Sequence, residues 1–152
     1  MNQINLYTTP TKILKPREVT IVADATFFGK RKDKFGVLIF KDVIQNEILI
    51  WKLISKETVV EYNYLLNKLL VLGFTINAVT VDGKKGLNKV FKDYPIQMCQ
   101  FHQKMIIKRY ITHHPKLEAS IELKRICTRL KYSNEIRFTK ALDIWYIKYK
   151  DF

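Results

Sequence analysis

The sequence predicts an α/β fold built on a mixed sheet, and three features carry that expectation. The runs Val19–Phe28 and Ala78–Val81 are short and rich in β-branched residues, as strands buried in a sheet are. Between and after them, apolar residues recur at helical spacing. Each run also meets a carboxylate: Asp24 interrupts the first and Asp82 ends the second. A charge inside an apolar run is costly to bury unless something pairs with it. An acid at the carboxyl end of a buried strand stands where open α/β sheets place their working residues. The plainer role for Asp82 is to cap the helix that follows.

Taken in order, residues 1–18 carry two prolines and little periodicity, and read as an irregular lead-in. Val19–Phe28 is expected to be a central strand, because its apolar run is nearly unbroken. Gly29 to Lys34 is a turn carrying four cations, Lys30, Arg31, Lys32 and Lys34, which suits either a solvated hairpin tip or a DNA-backbone contact. Gly36–Val43 and Glu47–Ile54 follow as strands joined at Gln45-Asn46, so the first three strands form an antiparallel meander. Ser55 is the expected N-cap of the next helix, with Glu57 in its first turn. Val59, Tyr62, Leu66 and Leu69 form its apolar stripe, and Gly73 ends it.

A meander reverses direction twice, so its first and third strands run parallel. A right-handed helical crossover then returns the fourth strand parallel to both. If that strand docks beside the first, Asp24 and Asp82 come within reach of one metal ion. Leu87, Val90 and Phe91 give the following helix, Pro95 stops it, and a second apolar run ends at Cys99 and His102. Beyond His102 the chain has no glycine, and 12 basic residues stand against 5 acidic ones. Ile106, Ile107, Tyr110 and Ile111, then Leu123, Ile126 and Leu130, then Leu142, Trp145, Tyr146 and Tyr149 keep helical spacing. The last of these stripes is expected to be core.

Composition narrows the function classes. With 152 residues, 47% hydrophobic and 27% charged, one globular domain is expected and disorder is not. The net charge of +13 calls for a polyanion, with nucleic acid ahead of an anionic membrane surface. Two cysteines, Cys99 and Cys127, make no disulfide framework and fit a reducing cytoplasm. No apolar stretch approaches the roughly 18 residues that span a bilayer, and MNQINLYTTP lacks the layout of a secretory signal. No membrane partner is expected.

Three stretches together carry a resemblance: ADATFFG (Ala23–Gly29), VTVDGKKGL (Val79–Leu87) and QMCQFHQK (Gln97–Lys104). In this order they resemble the catalytic domain of a DDE transposase, of the bacterial insertion-sequence group related to the Mutator elements. The Cys-x-x-His after the second Asp is a feature of that group, and the resemblance covers Val19 to Phe152. It implies a ribonuclease H-like fold, a mixed five-stranded sheet flanked by helices, over residues 19–112. It also implies the start of an all-helical insertion at 113–152. Metal-dependent phosphoryl transfer on DNA is the implied activity, on transposon ends and target, by a nucleoid-associated homo-oligomer.

In the resembling family, acids hold two Mg2+ (or Mn2+) ions in a complete active site. Asp24 matches the first acid and Asp82 the second, which makes both candidate catalytic and metal-binding residues. Rival carboxylates are less well placed: Asp42 lies toward the end of an antiparallel strand, and Asp93 sits on a helix beside Lys92. The third acid belongs on a helix after the insertion. Glu118, Glu122 and Glu135 lie in the segment matching the insertion, so the chain is expected to stop before the acidic set is complete. His102 is a candidate for contacting the scissile phosphate or orienting an acid, the alternative being a buried, hydrogen-bonded histidine. Cys99 and His102 have a zinc-like spacing but no matching second pair, and Cys99 reads as core. Lys84, Lys85 and Arg109 join the Lys30–Lys34 cations as candidate nucleic-acid contacts. Two alternatives stay open: a ribonuclease H-like or Holliday-junction nuclease, and a basic nucleic-acid-binding module without catalysis.

Overall fold

The computed structural model describes residues 14–29 and 35–151. The cationic turn residues Lys30, Arg31, Lys32 and Lys34 lie outside the described residues. Among the described residues five strands are present: β1 Glu18–Phe28, β2 Phe35–Asp42, β3 Glu47–Ile54, β4 Thr75–Val81 and β5 Ile96–Met98. The helices are α1 Val59–Val71, α2 Leu87–Val90, α3 Gln100–Ile111, α4 Glu118–Thr128 and α5 Glu135–Tyr149. The strands form one mixed sheet in the order β3-β2-β1-β4-β5. β1 is therefore the middle strand, as its unbroken apolar run predicts, and β4 is its neighbour. This strand order, with an antiparallel β1-β2-β3 meander, is the ribonuclease H-like layout.

The chain divides into two compact units, residues 1–79 and 80–152. In the first, β1 alternates strictly at its start: Val19, Ile21 and Ala23 are buried, while Thr20, Val22 and Asp24 are half-buried on the other face. Leu38 and Phe40 of β2 join that core, and α1 packs on β2 and β3. Tyr62 is fully buried, with its ring 6.3 Å from that of Phe40 and its hydroxyl donating to Glu57 at 2.8 Å.

Several boundaries differ from the sequence expectation. The N-cap of α1 is Thr58, whose extended backbone lets its hydroxyl accept from the amide of Glu61, and Ser55 lies before it. β3 runs to Ile54, and the chain needs the intervening residues to leave the sheet before it can coil. The buried stripe of α1 is Tyr62, Leu65, Leu66 and Leu69, while Val59 sits at the partly exposed first turn. Leu72 and Gly73 close the helix, with Gly73 at φ +86°, a conformation glycine adopts without strain. Residues 43–46 form the β2-β3 turn, with Asn46 at φ +54°, so Val43 leaves the strand.

Gly36 is a position that only glycine fits well. It pairs with Phe27 on one side and Ile54 on the other, and a Cβ there would stand 2.7 Å from the Phe27 ring. Gly36→Val is expected to cost about 1–3 kcal/mol, since the ring must be displaced from a packed site. Urea unfolding checks this, with the midpoint falling and the slope unchanged.

In the second unit Val81, Leu87 and Phe91 are buried, and α2 is a single turn rather than a full helix. Asp93 lies in the turns beyond it, not on a helix. β5 has only three residues, and Cys99 is the residue before α3, so His102 belongs to a helical first turn instead of a strand end. The Cys99 amide donates to Val81 at 2.7 Å, the last tie to β4, and its carbonyl accepts from Gln103 at 2.9 Å, the first tie of α3. Helices α3, α4 and α5 pack in succession. Leu142, Trp145 and Tyr149 are half-buried and Tyr146 is exposed, so the terminal aromatic stripe is an interhelical seam rather than a core. Trp145 donates its indole N–H to the Ala119 carbonyl at 2.8 Å, which satisfies the polar edge of a ring pressed on α4. No helix among the described residues is long and apolar enough to cross a membrane.

Candidate active site

β4 delivers Asp82 one residue past its end, where the chain turns instead of continuing the sheet. The carboxylate does not cap α2, whose N-cap is Gly86 at φ +97° with no side-chain bond. It accepts instead from the amide of Lys84 at 3.1 Å, an Asx turn that holds Oδ1 and sets the direction of the side chain. Gly83 permits the turn to lie close under Met98: a Cβ at Gly83 would meet Met98 Cε at 2.6 Å.

Asp82 lines an open cleft of about 720 Å³ together with Lys84, Lys85, Asn88 and Lys92. Three ammonium groups and one carboxamide around one half-buried carboxylate make a site that attracts anions. The ammonium groups act as mobile point charges toward phosphate. Lys92 and Asn88 were missed by sequence reasoning. The available signal was only that both fall in the polar stretch following Asp82, since α2 ends at Val90 and Lys92 lies in the turns beyond it.

Asp24 lies in the middle strand, opposite Ile39 of β2, and is half-buried on the face away from Ile21 and Ala23. Each of Asp24 and Asp82 offers hard carboxylate oxygens, the donor type magnesium takes. That ion keeps several waters and needs only one or two carboxylates. The donor chemistry therefore fits the implied ion. Among the described residues no group of three or more His, Cys, Asp or Glu is clustered for a metal.

No protein-family model matches the sequence, and no curated protein matches it. Among solved structures it is similar to the HTLV-2 integrase catalytic core domain in complex with magnesium (dimeric form). That match has 17% identity and a TM-score of 0.43, over 84% of this chain and 83% of that one. The catalytic core domain of BIV integrase shows 12% identity and a TM-score of 0.43, over 84% and 80%. The Drosophila P element transposase strand transfer complex shows 12% identity and a TM-score of 0.37, over 62% and 29%. At these values the likeness assigns no chemistry, which is left to the residues.

The remaining predicted residues are dispersed. His102 is half-buried in the first turn of α3 and is not part of the Asp82 cleft lining. Its Nδ1 is buried with no hydrogen-bond partner among the described residues, and the Phe101 ring stands edge-on to it at 5.4 Å. Arg109 is exposed in the last turn of α3, outside that cleft. Lys84 and Lys85 are the two predicted nucleic-acid contacts that do lie with Asp82.

A further carboxylate, set aside on sequence grounds, has a structural part. Among the described residues Asp42 is the one buried charged residue, 1% exposed. Arg17 donates to Asp42 and to Glu47, at 2.9 Å each, and the amides of Ile44 and Gln45 donate to the other Asp42 oxygen. Burial pushes the Asp42 carboxyl up, but the Arg17 hydrogen bond and the two amides outweigh it and hold the group below its ordinary value. A carboxylate so fully engaged has no free oxygen to offer an ion.

Proposed function

We propose that this chain is the catalytic part of a DNA transposase, of the bacterial insertion-sequence group related to the Mutator elements. On this reading it performs metal-dependent phosphoryl transfer on DNA. The observation that carries the reading is Asp82: a carboxylate at the end of β4, held by a backbone amide, in a cleft lined by three lysines. The strand order supports the partner, since β4 neighbours the strand bearing Asp24.

Asp24 and Asp82 are each proposed as a carboxylate ligand of a divalent ion. Bound there, magnesium or manganese supplies Lewis-acid polarisation of a phosphoryl oxygen and an activated nucleophile. The protein's own part is binding and orientation. Lys84, Lys85 and Lys92 neutralise backbone phosphates as they enter the cleft, and Asn88 adds a neutral donor. The Lys84 amide keeps Asp82 from rotating. His102, with a buried and unsatisfied ring nitrogen, is proposed as a positioning residue that takes up a hydrogen bond only when the DNA strand is in place. Residues 19–112 serve as the catalytic core and 113–152 as a helical insertion.

Thermal unfolding in rising manganese tests the proposal. The melting temperature is expected to climb with metal concentration, as it does for any ligand of the native state alone. A flat melting temperature with DNA binding retained would instead favour a basic binding module without catalysis.

A further inference from the structure

We propose that the groove between α4 and α5 is a second nucleic-acid site, in which Arg125, Arg129 and Arg137 grip the phosphates of a DNA strand. The groove has a volume of about 310 Å³, and these three arginines line it with Ser133, Ile126 and Phe138. Arg125 and Arg129 stand four residues apart at the end of α4, so they share one side of the helix. Arg137 enters from the first turn of α5, where Asn134 caps its amide at 2.9 Å and fixes the start of that helix.

Charge is what the groove lacks a balance for. Its one carboxylate is Glu122, and that group is already engaged by Lys148 at 3.1 Å and the Tyr149 hydroxyl at 2.8 Å. Arg125 reaches it only at 3.8 Å. Among the described residues, Arg129 and Arg137 have no carboxylate partner. The partial screening of Glu122 by Lys148 thus leaves two guanidinium groups uncompensated in one concavity.

The chemistry selects the occupant. Guanidinium forks match phosphate oxygens in pairs, a geometry an ammonium cannot reproduce. The half-buried Phe138 and Ile126 give the groove an apolar floor, which suits a sugar and base edge better than a small hydrated anion. The surrounding field points the same way, with 12 basic and 5 acidic residues from 103 to 152. This site is separate from the Asp82 cleft and does not depend on the acids holding an ion.

The test is fluorescence anisotropy with a labelled DNA duplex, in EDTA, at three salt concentrations. EDTA makes the outcome independent of any metal chemistry at Asp24 and Asp82. The double variant Arg129→Gln/Arg137→Gln is compared with Lys56→Gln/Lys68→Gln, which removes the same charge from exposed positions at the first helix. The arginine pair is expected to weaken binding about tenfold and to lower the salt slope by about two, as loss of two phosphate contacts does. The lysine pair is expected to change affinity less than about threefold. Arg129→Lys/Arg137→Lys, with charge kept and the fork lost, is expected to recover only part of the affinity. Circular dichroism of each variant is expected to match the parent, because the substituted side chains are exposed. Equal losses in the two Gln pairs would mean a diffuse field and would overturn the proposal, as would unchanged binding in the arginine pair. Polyglutamate competing better than DNA at equal charge would overturn it in favour of an acidic protein partner.

Discussion

Asp42→Ala is expected to lower stability by about 3 kcal/mol, the largest loss of any single substitution considered for this protein. The carboxylate is buried and accepts from Arg17, Ile44 and Gln45, so its removal strands two amides at the β2-β3 turn and takes from Arg17 one of its two carboxylate partners. Glu47 retains Arg17 at 2.9 Å, which keeps the cost from rising further. In a chain of this size the melting temperature should fall by roughly 6–12 °C. Scanning calorimetry checks it. A change under about 1 kcal/mol would mean that the ion pair offsets only its own desolvation.

The same group makes the fold acid-labile in a defined window. The folded carboxyl titrates below its unfolded value, so its contribution is fully present above about pH 4 and is lost as pH falls through the folded value. Asp42→Asn should therefore be less stable than the parent at pH 7. The gap should close progressively below about pH 4, as the parent's own carboxyl takes up its proton. A gap constant down to pH 2 would assign the effect to packing rather than charge.

The second large effect belongs to the acid pair. Asp24→Asn and Asp82→Asn are each expected to abolish stabilisation by manganese. At a metal concentration a hundredfold above Kd, the parent should gain about 2.7 kcal/mol. That gain corresponds to roughly 5–10 °C in a chain of this size. Replacing one carboxylate by a neutral amide removes a charged ligand and should leave the curve flat over the same range. The metal-free melting temperature of each variant is the reference, so any separate structural part played by either side chain cancels. Loss of protection in Asp82→Asn alone would mean that Asp82 binds the ion without Asp24. Full protection in both variants would remove the acid pair from the mechanism.

Several elements were legible before the structure because their signals are local. The apolar run of β1 announced a central strand, and the sheet order places it in the middle. The acid after Val81 announced a strand end, and β4 stops there. Boundaries were less legible, since they depend on competition between neighbouring hydrogen bonds. Thr58 rather than Ser55 caps α1 because β3 runs to Ile54 and the chain must clear the sheet first. Helical bonding that begins at Cys99 carried His102 out of the strand its apolar neighbours implied.

By itself, then, the sequence determined what recurs within a few residues: strand and helix type, the positions of Asp24 and Asp82 relative to their strands, and a strongly cationic chain. Only the tertiary structure decided which charges are spoken for. Arg17 finds Asp42 and Glu47 across 25 and 30 residues, and Lys148 finds Glu122 across 26. Such pairings follow from the register of the meander and the packing of α4 on α5, and no local pattern encodes them. That is why Asp42, a rival on sequence grounds, became a structural anchor. It is also why Arg129 and Arg137, ordinary helix-surface arginines in the sequence, emerged together in one uncompensated groove.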